Sequence, residues 1–140
     1  QSRTKNLVDY IPPLYSDLPF YACAGGKILL SELPVSLAEQ IVDSCEMVPL
    51  TRHTITSPEQ FWQELRKVAK AGYAFDNKES AENGSCIAVP VCDCEGDIVA
   101  SLSFSGFVGV ENTDQLLPYL PALQEAAGEI SRNLYRCWGR

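Results

Sequence analysis

Residues 85–106 constrain the fold most. The segments "SCIAVPVC" and "DIVASLSFSG" flank the turn "DCEGD", a pattern that predicts an antiparallel hairpin. A lone hairpin is marginal in water, so this one needs a face packed against something else. In its second strand a period of two puts Ile98, Ala100, Leu102 and Phe104 on one face and Val99, Ser101, Ser103 and Ser105 on the other. An exposed strand face normally carries long charged side chains, and here it carries a row of hydroxyls. Two readings follow: a solvated or sheet-paired serine face, or a pocket floor that offers hydroxyl donors and acceptors to a ligand.

The flanking sequence supplies helices for the other face. "SPEQFWQELRKVAKAG" predicts a helix with Ser57 as cap, Pro58 at its first position, Gln60 closing the capping box and Gly72 as the stop. Its residues Phe61, Leu65, Val68 and Ala69 share one apolar face and read as core. A shorter helix is expected at Ser36, where "SLAE" pairs Ser36 with Glu39 in a capping box. "GYAFD" reads as a short strand, followed by the polar loop "NKESAENG". The first twenty residues read as a strand, "TKNLVDYI", and a proline-bearing turn, "PPLYSDLP". A last amphipathic helix is expected from about Thr113, with Leu116, Leu120, Leu123, Ala127, Ile130 and Leu134 as its stripe and Pro118 and Pro121 disturbing its start. That stripe is either core packing or a subunit contact. Helices among antiparallel strands make an α+β domain, and 140 residues fit a single one.

"YACAGGKILLSEL" looks at first like a phosphate loop, but Gly26-Lys27 is followed by Ile28 rather than Ser or Thr, and no glycine stands at the upstream position. The two glycines instead let the chain turn tightly into a helix, leaving free N–H groups near Ala24 and Gly25 where a small anion could dock; a packed junction without a ligand is the plainer alternative. A net charge of −7 argues against nucleic-acid phosphates as this chain's own partner. Lys67 and Lys70 read as a solvated helix face. No apolar run approaches membrane-spanning length and the first residues lack a signal-peptide layout, so a cytoplasmic location without membrane contact is expected. The six cysteines are scattered through helix- and strand-like segments and read as reduced thiols. The C-x-C of Cys92 and Cys94 lies far in sequence from the single histidine, His53, so neither a metal site nor a cofactor is expected.

"GYAFDNKESAENGSCIAVPVCD" resembles the signature of the IclR family of bacterial transcription regulators in its effector-binding domain, through Gly72, Asp76, Glu79, Cys86, Ile87, Ala88, Val91 and Asp93. The resemblance continues through "LPFYACAGGKILL", "LTRHTIT", "ASLSFSG" and "EISRNL", from about Tyr10 to Tyr135. It departs at Cys92, where an aromatic residue or His is usual, at Asn83, where Gly is usual, and at Gly84, where an apolar residue is usual. A left-handed backbone at Asn83 and a roomier pocket wall at Gly84 are the corresponding expectations. The resemblance implies a GAF-like domain with a curved antiparallel sheet packed by helices. It further implies a pocket for a small organic acid, homodimers or tetramers, and DNA contact only through a winged helix-turn-helix domain that this sequence does not contain. The chain is therefore expected to be a fragment of the regulator, short even of the start of its effector domain. Carried onto this chain, the family's ligand contacts fall on Ala24 and Gly25 through their backbone N–H groups, on Asp76, Cys86, Ser103 and Ser105, and on lid positions Tyr10 and Leu18. The expected ligand has one carboxylate and a neighbouring hydroxyl, carbonyl or other polar group, and Asp76 is expected to accept from a ligand hydroxyl or amine.

Three rival readings stand beside this one. An enzyme would use Cys86 as nucleophile with His53 as base, but nothing in the sequence brings the two together, and a non-enzyme is expected. A redox or metal sensor would use Cys92 and Cys94. A stand-alone GAF-like sensor would act on a protein partner rather than DNA.

Overall fold

The structure, a computed structural model, describes residues 17–106 and 112–138, with side chains of the last helix placed through residue 134. The expected strand "TKNLVDYI" and the lid residue Tyr10 lie outside the described residues. A 3-10 turn at Phe20–Ala22 leads into helix α1, Ala24–Ser31, followed by α2, Val35–Asp43, and α3, Pro58–Ala71. Strands β1, Ala74–Asn77, β2, Ser85–Cys92, and β3, Ile98–Gly106, form an antiparallel sheet in the order β1-β2-β3. A 3-10 segment at Thr113–Tyr119 then runs into α4, Leu120–Trp138. The expected α+β architecture is the observed one.

Helix α3 is bounded as its sequence predicts: the Gln60 N–H donates to Ser57 Oγ, Pro58 takes the first turn, and Gly72 ends the helix with φ +76°. Helix α2 starts earlier than "SLAE" suggests. Pro34 is its cap, and the Pro34 carbonyl accepts from the Leu37 and Ala38 N–H groups, which leaves Ser36 exposed inside the first turn instead of capping it. Proline fixes φ near the helical value and its missing N–H costs nothing there, so the chain enters the helix directly after it. At the other end Pro118 falls within the 3-10 segment, and regular α-helix begins only at Leu120. An Asn112–Gln115 capping box opens that segment.

Helices pack against both faces of the sheet. On one, Val89 and Val91 pack with Tyr73, Leu102, Leu120, Leu123, Ala127 and Leu134, which makes most of the α4 stripe core; Ile130 is the exception, 40% exposed. On the other, Ala74 and Ala88 pack with Ala24 and Ile28 of α1 and Val68 of α3. A third cluster, centred on Phe61, Leu65, Tyr21, Val42 and Met47, ties α3 to the 3-10 turn and α2. Strict alternation in β3 fails at one end. Val91 lies opposite Ala100 and Cys92 opposite Ile98, so Val99 is an extra residue and Ile98 packs on the α1 face, away from Leu102.

Candidate functional site

Helix α1 meets the sheet through small residues, and its two glycines have separate steric causes. A Cβ on Gly26 would lie 2.4 Å from the carbonyl oxygen of Phe20, and one on Gly25 would lie 2.7 Å from Ser101 Oγ. The first keeps the 3-10 turn folded against the helix start. The second seats that start on the serine-bearing face of β3.

The cap of α1 engages two of its first four amides. Cys23 is the N-cap; its Sγ accepts from the Gly26 N–H at 3.4 Å and its carbonyl from the Lys27 N–H at 3.3 Å. The N–H groups of Ala24 and Gly25 carry no hydrogen bond to any described residue. They are the two to which an anion is expected to dock.

Across the sheet, Asp76 stands opposite Cys86 and Cys86 opposite Ser105, one cross-strand row on one face. The next row on that face is Ala74, Ala88 and Ser103. Cys86 Sγ and Ser105 Oγ are 3.0 Å apart, Cys86 is half-buried, and Ser103 and Ser105 are exposed. Thus Ala24, Gly25, Asp76, Cys86, Ser103 and Ser105 come together around one helix end and one sheet face. Leu18 is 51% exposed and belongs to none of the three buried clusters.

Asp76 is more committed than its place in the motif suggests. It is buried; its Oδ1 accepts from the Glu79 N–H at 2.7 Å and the Ser80 N–H at 3.4 Å, and its Oδ2 from the Ser80 hydroxyl. Its first task is to fold the loop after β1. The left-handed residue of that loop is Lys78, φ 59°, not Asn83. Burial pushes the Cys86 thiol up, partly countered by Ser105 and reinforced by the Asp76 charge. Burial also raises the Cys23 thiol, with the Gly26 N–H opposing it and Asp76 adding to it. Both are therefore thiols rather than thiolates at neutral pH, the wrong state for a nucleophile. His53 does not serve Cys86: its Nε2 accepts from Arg52 Nε at 3.1 Å and lies 3.8 Å from Glu82, on an exposed loop.

Sequence reasoning missed three neighbours of the site. Cys23 stands where Ser, Thr, Asp or Asn is the ordinary cap, and its position directly before Ala24 was the available signal. Ser101 belongs to the hydroxyl row, and nothing in that period distinguishes it from its neighbours. Lys27 is 0% exposed; its Nζ donates to Glu79 Oε1 at 2.7 Å, to the Phe75 carbonyl at 2.8 Å and to Glu64 Oε1 at 3.5 Å. Nothing in a lone lysine announces burial. Among the described residues, no group of three or more His, Cys, Asp and Glu gathers as a metal site, and no helix is long and apolar enough to cross a membrane. A separate groove of about 420 Å³ between α1, α2 and α3, lined by Leu30, Val35, Trp62 and Arg66 among others, includes none of the candidate site residues.

Comparison with known proteins agrees with the α+β fold. The chain is 37% identical over 116 residues to the HTH-type transcriptional regulator KdgR of Escherichia coli, covering 83% of this chain and 44% of that protein. The chain thus spans less than half the length of this relative. The crystal structure of the C-terminal domain of E. coli KdgR matches with a TM-score of 0.75 at 38% identity, over 81% of this chain and 70% of that one. The inducer-binding domain of the transcription factor PobR from Acinetobacter, solved as a double mutant with 3-hydroxybenzoic acid, matches with a TM-score of 0.79 at 28% identity, over 87% of this chain and 73% of that one. The family described as bacterial transcriptional regulator IclR C-terminal matches residues 4–132, and the chain belongs to it.

Proposed function

We propose that this chain is the effector-sensing part of an IclR-type transcription regulator and that its effector is a small organic acid. The carboxylate docks on the N–H groups of Ala24 and Gly25 and on the hydroxyls of Ser103 and Ser105, with Cys86 beneath it. The observation that carries the reading is the cap of α1, which uses the Gly26 and Lys27 amides and leaves those of Ala24 and Gly25 without a partner among the described residues, beside the serine face. Backbone amides at a helix start and hydroxyl donors hold a carboxylate through charge-assisted hydrogen bonds without an arginine. Asp76, already engaged by Glu79 and Ser80, accepts through Oδ2 from a hydroxyl or amine of the ligand, since a second carboxylate would be repelled. The 3-hydroxybenzoic acid bound by the PobR domain, one carboxylate and one hydroxyl, supports this ligand class. In the whole protein, which is cytoplasmic and works as a homo-oligomer, the ligand shifts the population of subunit arrangements and so the spacing of separate DNA-binding domains.

Calorimetric titration with 3-hydroxybenzoate, benzoate, lactate and pyruvate tests the site. An acid that also carries a hydroxyl should bind, and Ser103→Ala with Ser105→Ala should weaken it by about tenfold or more, the worth of one hydrogen bond to a charged group. Undiminished binding by that double variant would refute the assignment.

A further inference from the structure

The Lys27 ammonium is fully buried four residues beyond the Cys23 cap, and its partners all lie off its own helix. Phe75 gives its carbonyl from β1; Glu79 gives Oε1 from the loop that Asp76 folds; Glu64 approaches from α3. That loop is itself anchored, because Thr51 Oγ1 donates to the Lys78 carbonyl at 2.6 Å and Thr54 Oγ1 to the Glu79 carbonyl at 2.7 Å. Glu79 Oε1 also accepts from the Asn77 N–H, while Glu79 Oε2 is buried with no partner among the described residues. A buried pair with one oxygen left unsatisfied is poor economy if stability alone is at stake, because well-packed neutral side chains often serve as well.

We infer that Lys27 is a positioning residue of the effector site: clamped by Glu79 and the Phe75 carbonyl, it holds the start of α1 against the sheet so that the Ala24 and Gly25 amides face the serine strand. The inference rests on the ligand-site reading above. Gly25 contacts β3 through Ser101 while Lys27 reaches β1 and its loop, so the short helix is pinned to both outer strands. The ammonium is spent on Glu79 and Glu64 and is not the ligand's counter-charge; it acts through the amides two and three residues before it.

The test is the double variant Lys27→Met, Glu79→Gln, which removes both charges and keeps an acceptor for the Asn77 N–H. Its unfolding midpoint should stay near wild type, whereas Cys23 and Cys86, at the two sides of the helix start, should be alkylated by iodoacetamide about tenfold faster as the start lifts. Affinity for 3-hydroxybenzoate, or for whichever acid of the calorimetric panel binds wild type, should fall by about tenfold or more. A folded double variant with wild-type alkylation rates, or with wild-type affinity, overturns the inference. If no acid of the panel binds wild type, the ligand reading has failed and the alkylation rates alone decide the role of Lys27. Glu79→Gln alone, which keeps Lys27 bonded to Phe75 and Glu64, should show a smaller shift in the same direction and replaces the double variant if that one does not fold; unchanged rates in it would then overturn the inference.

Discussion

The two faces of the sheet are built from alternate residues of the same strands, and they do opposite things. Toward α4 the strands present Val89, Val91 and Leu102 to Leu120, Leu123 and Ala127, and Phe104 stacks on Tyr119 at 4.7 Å. Toward α1 they present Ala74, Ala88 and three serines to Ala24 and Gly25. Large aliphatic side chains exclude water and carry most of the burial free energy. Small ones let a helix backbone come close but bury little, so the polar atoms near it stay available. The domain concentrates cohesion on one face and leaves the other for recognition.

The largest expected effect tests that division directly. Ile87 is fully buried on the α4 side of β2, whereas Ser103 is exposed on the α1 side. Ile87→Ala should cost about 2–5 kcal/mol of stability through lost burial and the cavity left behind. Ser103→Ala should change stability by less than about 0.5 kcal/mol, as exposed substitutions do. Urea unfolding of the two variants measures both values, and equal losses would mean that the faces share the load.

The large apolar side chains are the legible part, whichever cluster they join. Phe61, Leu65 and Val68 announced themselves by helical spacing, and Leu102, Leu120, Leu123 and Ala127 by their periods, because burial of large side chains imposes a repeat. The hydroxyl row is legible as a pattern, and the paired glycines point to the Ala24 and Gly25 amides, with the family resemblance deciding between an anion site there and a packed junction. What stayed hidden is non-local. The extra residue at Val99 depends on the register with β2, the start of α2 on the backbone geometry of Pro34, and the burial of Lys27 on three partners distant in sequence. No local pattern encodes such meetings.

A middle-sized effect probes how closely α1 rides on β3. Gly25→Ala places a Cβ 2.7 Å from Ser101 Oγ and should cost about 1–3 kcal/mol of overpacking, offset in part by the better helix propensity of alanine. Ser101→Ala removes that oxygen and leaves the nearest Ser101 atom, its Cβ, at 3.8 Å, an ordinary contact. In that background Gly25→Ala should stabilise by up to about 1 kcal/mol. The reversal of sign is the readout of a double-mutant cycle. Additive costs would show that the helix start is not seated on Ser101.

The smallest effect separates the faces by pH. The buried Glu79 belongs to the α1 side, and its carboxyl is raised above the ordinary glutamate range, chiefly by burial, with Lys27 opposing and Asp76 adding. A raised folded value means that the folded chain holds the proton more tightly than the unfolded one. The contribution of Glu79 is therefore fully present below the unfolded value near 4.5 and is lost as pH rises through the folded value. Wild type should accordingly be most stable relative to Glu79→Gln at the acid end, and its advantage should shrink upward from about pH 4.5 to a plateau. Thermal unfolding of both proteins across that range measures the difference, from which titrating groups not coupled to Glu79 cancel. A difference that instead grew with pH would mean that attraction to Lys27 outweighs the cost of burial, and the α1 face would then owe cohesion to its ion pair as the α4 face does to its aliphatic side chains.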